Sequence, residues 1–485
     1  MYSVIEANKY LKNKKVENNS FRPKFHFAPE FGWVNDPHGI VKFKGKYHIY
    51  FQYYPFDTTN LETCWGHTST KDFIHFDKTK CVIAPDKEYD KLGCWSGSVI
   101  VKNGLVYLFY TGFTKNNNDE YRQTICLAVS DDGINFEKYG ENPLIDEKLI
   151  PHQASKVDFR DPCIFEKGGI YYLLVGSKNE TDKKAFLLLY RSKDLIHFEF
   201  DHIVLEEENF GTMFECPNIL QFKTQDFIIL SPQNILPKKD SFFNVSSNVY
   251  FNTNKVLEKQ AINLKKVREI DHGLEFYATN VSDKDKIAVS WLQMWGRRYY
   301  LHEIKEDFIN SFSLFKKVKR SYNQLKFIPL KNYNKYLKNE VSFAGFIDEN
   351  KTFEAKIGRC TKLKIELFDI KNKTINIKLL KNEDEFVLLS IDGNSKRIIL
   401  DRRKLKEQLY GVDPSSSKEG YRYINIDKNL NNIELEIYID NYIVEAFLND
   451  YKDSLSFLAF SRGEDIVIES KDHIEYKIEK YDVVI

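Results

Sequence analysis

The chain has no run of 18 apolar residues, so no segment is expected to cross a membrane as a helix. Residues 1–20 lack the apolar centre, roughly 7–15 residues long, of a secretory signal, and a cytoplasmic location is the expectation. Neither sign of charge is in excess. The 71 Lys and Arg stand against 70 Asp and Glu, mixed along the chain, leaving no basic face for nucleic acid and no acidic tail. Cysteine is sparse: Cys64, Cys81, Cys94, Cys126, Cys163, Cys216 and Cys360 are odd in number, scattered and free of any CxxC pair. Neither a disulfide framework nor a zinc site is indicated, and most read as small buried hydrophobes. The closely spaced carboxylates of a calcium loop are also missing, so no metal and no cofactor is expected.

Aromatic residues, in contrast, reach 15% within an ordinary apolar content of 42%, which favours packed sheets or a carbohydrate-type surface. A length of 485 residues suggests several domains at roughly 150 residues each, but an internal repeat changes that estimate. Gly45-Lys46-Tyr47-His48-Ile49-Tyr50-Phe51, Gly104-Leu105-Val106-Tyr107-Leu108-Phe109-Tyr110 and Gly169-Ile170-Tyr171-Tyr172-Leu173-Leu174-Val175 are strand-like runs, each opened by glycine. Each is followed by a segment with Ser and a turn Asp ahead of a closing aromatic, beginning at Ser69, Ser130 and Ser192. About sixty residues of β sequence per repeat matches one four-stranded propeller blade, and five blades would fill about 300 residues. Three repeats are visible; the fourth and fifth are an extrapolation, supported by the buried-strand pattern of residues 286–292.

Beyond about Arg320 the repeat is gone. Residues 321–330 read as a connection, followed by a lysine-rich stretch suited to a short helix. Residues 363–368, 374–380 and 433–439 alternate strictly, as strands wet on one face do in a β-sandwich. The expected architecture is all-β: an N-terminal extension over 1–20 with a short helix, a five-bladed β-propeller over 21–320, a linker over 321–339 and a β-sandwich over 340–485. The oligomeric state, monomer or homodimer, stays open.

The unusual polar clusters fall into phase with the repeat. Trp33-Val34-Asn35-Asp36-Pro37-His38-Gly39, Trp95-Ser96-Gly97-Ser98, Arg160-Asp161-Pro162 and Glu215-Cys216-Pro217-Asn218 place Asp36, Ser96, Asp161 and Glu215 at intervals of 60, 65 and 54, and Tyr277 follows after 62. Alone, an Asp-Pro reads as a turn. Together, residues recurring once per blade occupy equivalent strand positions, and in a propeller these point to the mouth of the central channel. Three carboxylates beside an Arg and several tryptophans suit glycoside hydrolysis better than a cation. One carboxylate serves as nucleophile or base, a second carboxyl as acid, and aromatic faces with Arg or Asn donors hold the sugar.

These motifs resemble glycoside hydrolase family 32, the invertases, sucrose-6-phosphate hydrolases and fructan hydrolases. Residues 21–29, Trp65-Gly66-His67, Phe276-Tyr277-Ala278 and residues 438–447 match the family's blocks in the family's order, so the resemblance covers nearly the whole chain. It implies a retaining β-fructofuranosidase with Asp36 as nucleophile, Glu215 as acid/base and Asp161 as transition-state stabiliser. It also implies Asn35, Gln52, Trp65, Trp95, Ser96, Arg160, Tyr277 and Trp291 around the fructosyl ring, with Trp33 a further candidate for holding sugar. His38 stands where the family commonly has Asn, Trp95 where Phe is usual, and Cys64 precedes Trp65. The expected substrate is sucrose 6-phosphate or sucrose. An exo-acting fructan hydrolase, an inverting relative acting on arabinose or xylose polymers, and a non-catalytic sugar-binding propeller are the alternatives.

Overall fold

A computed structural model describes all residues except 60, 180, 182–183, 254–255, 259–266, 412–419 and 428. Five sheets built from strands between Gly32 and Pro329 form the propeller. Their inner strands are Gly32–Phe43, Gly93–Lys102, Ala154–Lys167, Met213–Phe222 and Tyr277–Ser282. In each of the first three blades the inner strand turns through a left-handed glycine, Gly45, Gly104 or Gly169, into the aromatic second strand. A side chain at these φ values would strain the turn, which is why glycine opens each repeat. The second repeat motif is the turn after the third strand. Asp72, Asp132 and Asp194 each accept two backbone N–H groups through Oδ1, at 2.7–3.0 Å. In the first blade the paired hydroxyl is Thr70, whose Oγ1 accepts the Phe73 N–H at 2.9 Å, where the alignment of repeats points to Ser69.

The ring closes because Phe308–Ile309 adds in parallel beside Gly32 and Trp33 of the first blade. Polar side chains then tie inner strand to inner strand around the axis. Ser96 Oγ donates to Asp36, Ser98 Oγ to the Pro162 carbonyl, the Cys216 N–H to Asp161, Asn218 to the Thr279 carbonyl and Asn280 to the His38 carbonyl. The fourth and fifth blades thus exist without the repeat motif; the fifth uses Ile287–Trp291, Lys316–Ser321 and Gln324–Pro329 behind its inner strand. Residues 324–329, which read as connection in sequence, are the outermost strand of that blade, with Leu325 and Phe327 buried in its core. A 3₁₀ turn, Lys331–Tyr336, leads into the second region.

Strands between Leu337 and Val483 form two six-stranded sheets packed face to face over an aliphatic core that includes Leu363, Ile365, Ile377, Leu389, Ile437 and Ile468. The strand Ile433–Asp440 departs from the expected wet face: Glu436 and Tyr438 are buried. On the outer face of that sheet Tyr438 packs against Phe25, from the segment before the first blade, and Tyr333, from the 3₁₀ turn, in a cluster that Ile74 and Leu314 of the propeller join. The segment before the first blade holds one helix, Val4–Asn13, with a Ser3–Glu6 capping box, and Ala7 buried against the first blade.

Candidate active site

Each inner strand carries a β-bulge at the same height. Register slips between Val34 and Gly39, Trp95 and Gly97, Arg160 and Cys163, Glu215 and Asn218, and Tyr277 and Asn280. Asp161, Cys216 and Ala278 sit at these bulges with φ of 62°, 47° and 51°. A bulge inserts a residue and re-aims the side chains beside it. Pro37, Pro162 and Pro217 mark three of the bulges, since proline cannot join a regular ladder. The result is a cavity of about 570 Å³ at one end of the channel, lined by Asn35, Asp36, Gln52, Trp95, Ser96, Arg160, Asp161 and Glu215.

The three carboxylates are buried and differently partnered. Asp36 Oδ2 accepts from Ser96 Oγ at 2.8 Å and lies 3.6 Å from Cys216 Sγ, while Oδ1 has no hydrogen-bond partner among the described residues. Burial pushes the Asp36 carboxyl up, the Glu215 charge adds to this, and hydrogen bonds from Ser96, Asn35 and Cys216 pull it back, leaving it at about 6. Glu215 is gripped from two sides. Arg160 donates to Oε1 through Nη2 at 2.8 Å and Nε at 3.1 Å, and Tyr277 Oη donates to Oε2 at 2.7 Å. Asp161 Oδ2 accepts the Cys216 N–H at 2.9 Å; burial raises its pKa, Arg160 opposes, and Glu215 and Asp36 raise it further. Burial works against the Arg160 charge, but Glu215, Asp161 and Asp158 hold it fully protonated.

Four residues expected around the sugar do not reach the cavity. Trp65, Tyr277 and Trp291 are wholly buried and Trp33 is 2% exposed. Trp65 lies on His38, ring centres 4.3 Å apart, and its indole N–H donates to the Trp95 carbonyl at 2.9 Å. Trp291 packs between Trp33 and Trp295, and the Trp33 indole donates to Asn35 Oδ1 at 2.7 Å. Trp65 and Trp291 belong to strands behind the inner ones, so they brace the lining. Tyr277 meets the lining through its hydrogen bond to Glu215.

Other lining residues carry no motif. Asp158 pairs with Arg160 Nη1 at 2.9 Å, Gln123 accepts from the same nitrogen at 3.3 Å, and Trp295, Phe113, Tyr121, Leu61 and Glu62 form the rim. Only Asp158 had a signal, sitting two positions before Arg160 on one strand face. Trp95 stacks on Phe113 at 4.0 Å, and Phe113 on Tyr121 at 5.3 Å. Gly93 permits this stack: a Cβ there would lie 2.7 Å from the Trp95 indole nitrogen. Among the described residues no group of three or more His, Cys, Asp or Glu side chains is arranged to hold a metal ion.

Comparison with known proteins finds similarity over nearly the whole chain. Residues 26–329 match the model of the glycosyl hydrolases family 32 N-terminal domain, and residues 334–483 that of the family 32 C-terminal region. The sucrose-6-phosphate hydrolase of Escherichia coli is 27% identical over 471 residues, covering 94% of this chain and 93% of the relative. That of Bacillus subtilis is 32% identical over 299 residues, 60% of each chain. Among solved structures, a Bombyx mori family 32 β-fructofuranosidase superposes with a TM-score of 0.83 at 25% identity, covering 99% of this chain and 98% of the other. The sucrose-6-phosphate hydrolase of Lactobacillus gasseri has the same fold, with a TM-score of 0.84 at 23% identity over 99% of this chain and 96% of the other.

Proposed function

This chain belongs to glycoside hydrolase family 32, and from that premise we propose that its cavity hydrolyses the terminal β-fructofuranoside bond of sucrose 6-phosphate or sucrose with retention of configuration. The observation that carries the reading is the convergence of Asp36, Asp161 and Glu215 from three blades, each in a different electrostatic setting. Asp36 is the nucleophile: Ser96 holds one of its oxygens, and the carboxylate attacks the anomeric carbon. Glu215 is the acid that protonates the leaving oxygen and then the base that activates water, as a double displacement requires. Asp161 stabilises the transition state through the fructose hydroxyls. Asn35, Gln52, Trp95, Ser96 and Arg160 bind the fructosyl unit, with Trp65, Tyr277 and Trp291 supporting them from behind.

The names of the relatives from Escherichia coli and Bacillus subtilis support sucrose 6-phosphate as a substrate. A sugar phosphate is charged and does not cross a bilayer unaided, so a cytoplasmic site of action is part of the same proposal. Substitutions Asp36→Ala and Glu215→Ala should each lower kcat by about 10³-fold or more while the fold is kept. Substantial activity in either variant would overturn the roles. Proton NMR of the first-formed fructose anomer tests retention, and relative turnover of sucrose, sucrose 6-phosphate and an inulin oligomer tests the substrate. Preference for the oligomer would favour a fructan hydrolase instead.

A further inference from the structure

The first thirteen residues carry no motif, yet two of their side chains hold the connection that supplies part of the rim of the catalytic cavity. The loop between strands Lys46–Tyr54 and Cys64–Thr70 supplies the cavity's Leu61, Glu62 and Thr63. On the cavity side, Thr63 is fixed: its carbonyl accepts the Cys94 N–H at 2.9 Å and its hydroxyl accepts from Gln52. On the outer side the loop's backbone is held from residues 1–13. Tyr2 Oη donates to the Glu62 carbonyl at 2.8 Å, and Tyr10 Oη to the Phe56 carbonyl at 3.2 Å. Both rings also pack on Phe56, with centres 4.8 and 5.1 Å away.

The helix that presents these tyrosines is itself anchored. Its start is set one residue after Tyr2 by the Ser3–Glu6 capping box. Asn8 clamps the edge strand Lys80–Ile83, accepting the Cys81 N–H and donating to the Cys81 carbonyl, both at 2.9 Å. Val4 and Leu11 pack on the first-blade core around the buried Ala7. With Leu61 55% exposed, apolar burial contributes little to the loop, so polar anchors set its position: Thr63 on Cys94 and Gln52, Thr58 on His302 at 2.7 Å, and on the outer side the two tyrosine hydrogen bonds with the Phe56 contacts.

We propose that residues 2–10 position the leaving-group rim of the cavity, Tyr2 acting through Glu62 and Tyr10 through Phe56. This rests on the reading of the cavity as the fructoside site, in which the buried carboxylates hold the fructosyl unit and the exposed rim meets the other sugar. Neither tyrosine touches substrate; both are positioning residues, and the rim they fix sets affinity for the leaving group.

The test is the double variant Tyr2→Phe/Tyr10→Phe, which keeps both rings and removes both hydroxyls. Amide hydrogen exchange of a peptide covering residues 55–66 should quicken at least threefold, while peptides from the inner strands at 32–43 and 93–102 stay unchanged. The KM for sucrose should rise about three- to tenfold, with kcat within twofold and the inhibition constant of free fructose unchanged. Unchanged exchange at 55–66 overturns the proposal. So does faster exchange in which KM, kcat and fructose inhibition all shift together, since that is general loosening. If the parent protein cleaves neither sucrose nor its 6-phosphate, the functional reading fails, and the exchange measurement alone still decides whether the tyrosines hold the rim.

Discussion

At the scale of single residues, the proposed mechanism requires Asp36 to be ionised in a buried site. Burial and the Glu215 charge raise its pKa to about 6, and a raised carboxyl takes up its proton at a higher pH than a free one. Protonated Asp36 cannot attack, so kcat/KM should fall about tenfold per unit as pH drops below about 6. Ser96 donates to the charged form and holds this value down. Replacing it, Ser96→Ala, should therefore move the acidic limb of the pH profile upward by about one unit. A limb that stays in place would show that another group controls it. Tyr277 and Arg160 fix the position of the Glu215 carboxyl, through donors 2.7 and 2.8 Å from its two oxygens.

At the scale of elements, the bulged inner strand turns a propeller into an active site. A regular strand would alternate its side chains between the two neighbouring blades; the bulge turns one position toward the channel mouth instead. In the second blade the bulge depends on Gly97, where a Cβ would lie 1.9 Å from the Phe109 carbonyl oxygen. Gly97→Ala must push the strand off its partner beside Ser96. It should lower the thermal midpoint by several degrees and reduce kcat/KM by about tenfold or more, read by thermal unfolding and initial rates. Gly104→Ala, in an open turn where a Cβ meets nothing within 4 Å, should leave kcat/KM unchanged and cost only the strain of its φ of 77°.

At the scale of the whole molecule, the sandwich is fastened to the propeller by buried charge. Arg402 of the sandwich, 2% exposed, donates to both oxygens of Glu275 at 2.7 and 2.6 Å and to the Leu458 carbonyl at 2.7 Å. Burial alone would raise the Glu275 carboxyl, but Arg402 and Arg297 hold it below the usual range. Glu275 lies two residues before Tyr277, so the interface is continuous with the catalytic grip on Glu215. Arg402→Ala leaves Glu275 buried without its main partner, at a cost of about 3–5 kcal/mol. A marked fall in thermal stability with a parallel loss of activity is expected. His26, between Asp440 at 2.9 Å and Glu445 at 3.1 Å, and Lys316 on Glu445 extend the same contact.

Much of this was legible along the chain. Turn glycines, Asx turns and proline-marked bulges are local, so their residues recur wherever the backbone must bend, and a sixty-residue period with carboxylates in phase follows from the sequence by itself. The fourth and fifth blades kept the strands and lost the turn chemistry, which is why their period faded. What only the tertiary structure decided is which side of each strand meets the cavity and which meets a neighbour. Trp65, Trp291 and Trp33 look like sugar platforms in sequence, yet they are packed behind the lining. Glu436 and Tyr438 look wet, yet both are buried, Tyr438 against Phe25 and Tyr333 and Glu436 among Lys362, Tyr438 and Tyr451. Two tyrosines at positions 2 and 10 hold, from outside, the backbone of the segment that carries part of the rim. Periodicity records backbone geometry, whereas burial depends on what packs against each face, and those partners lie tens to hundreds of residues away.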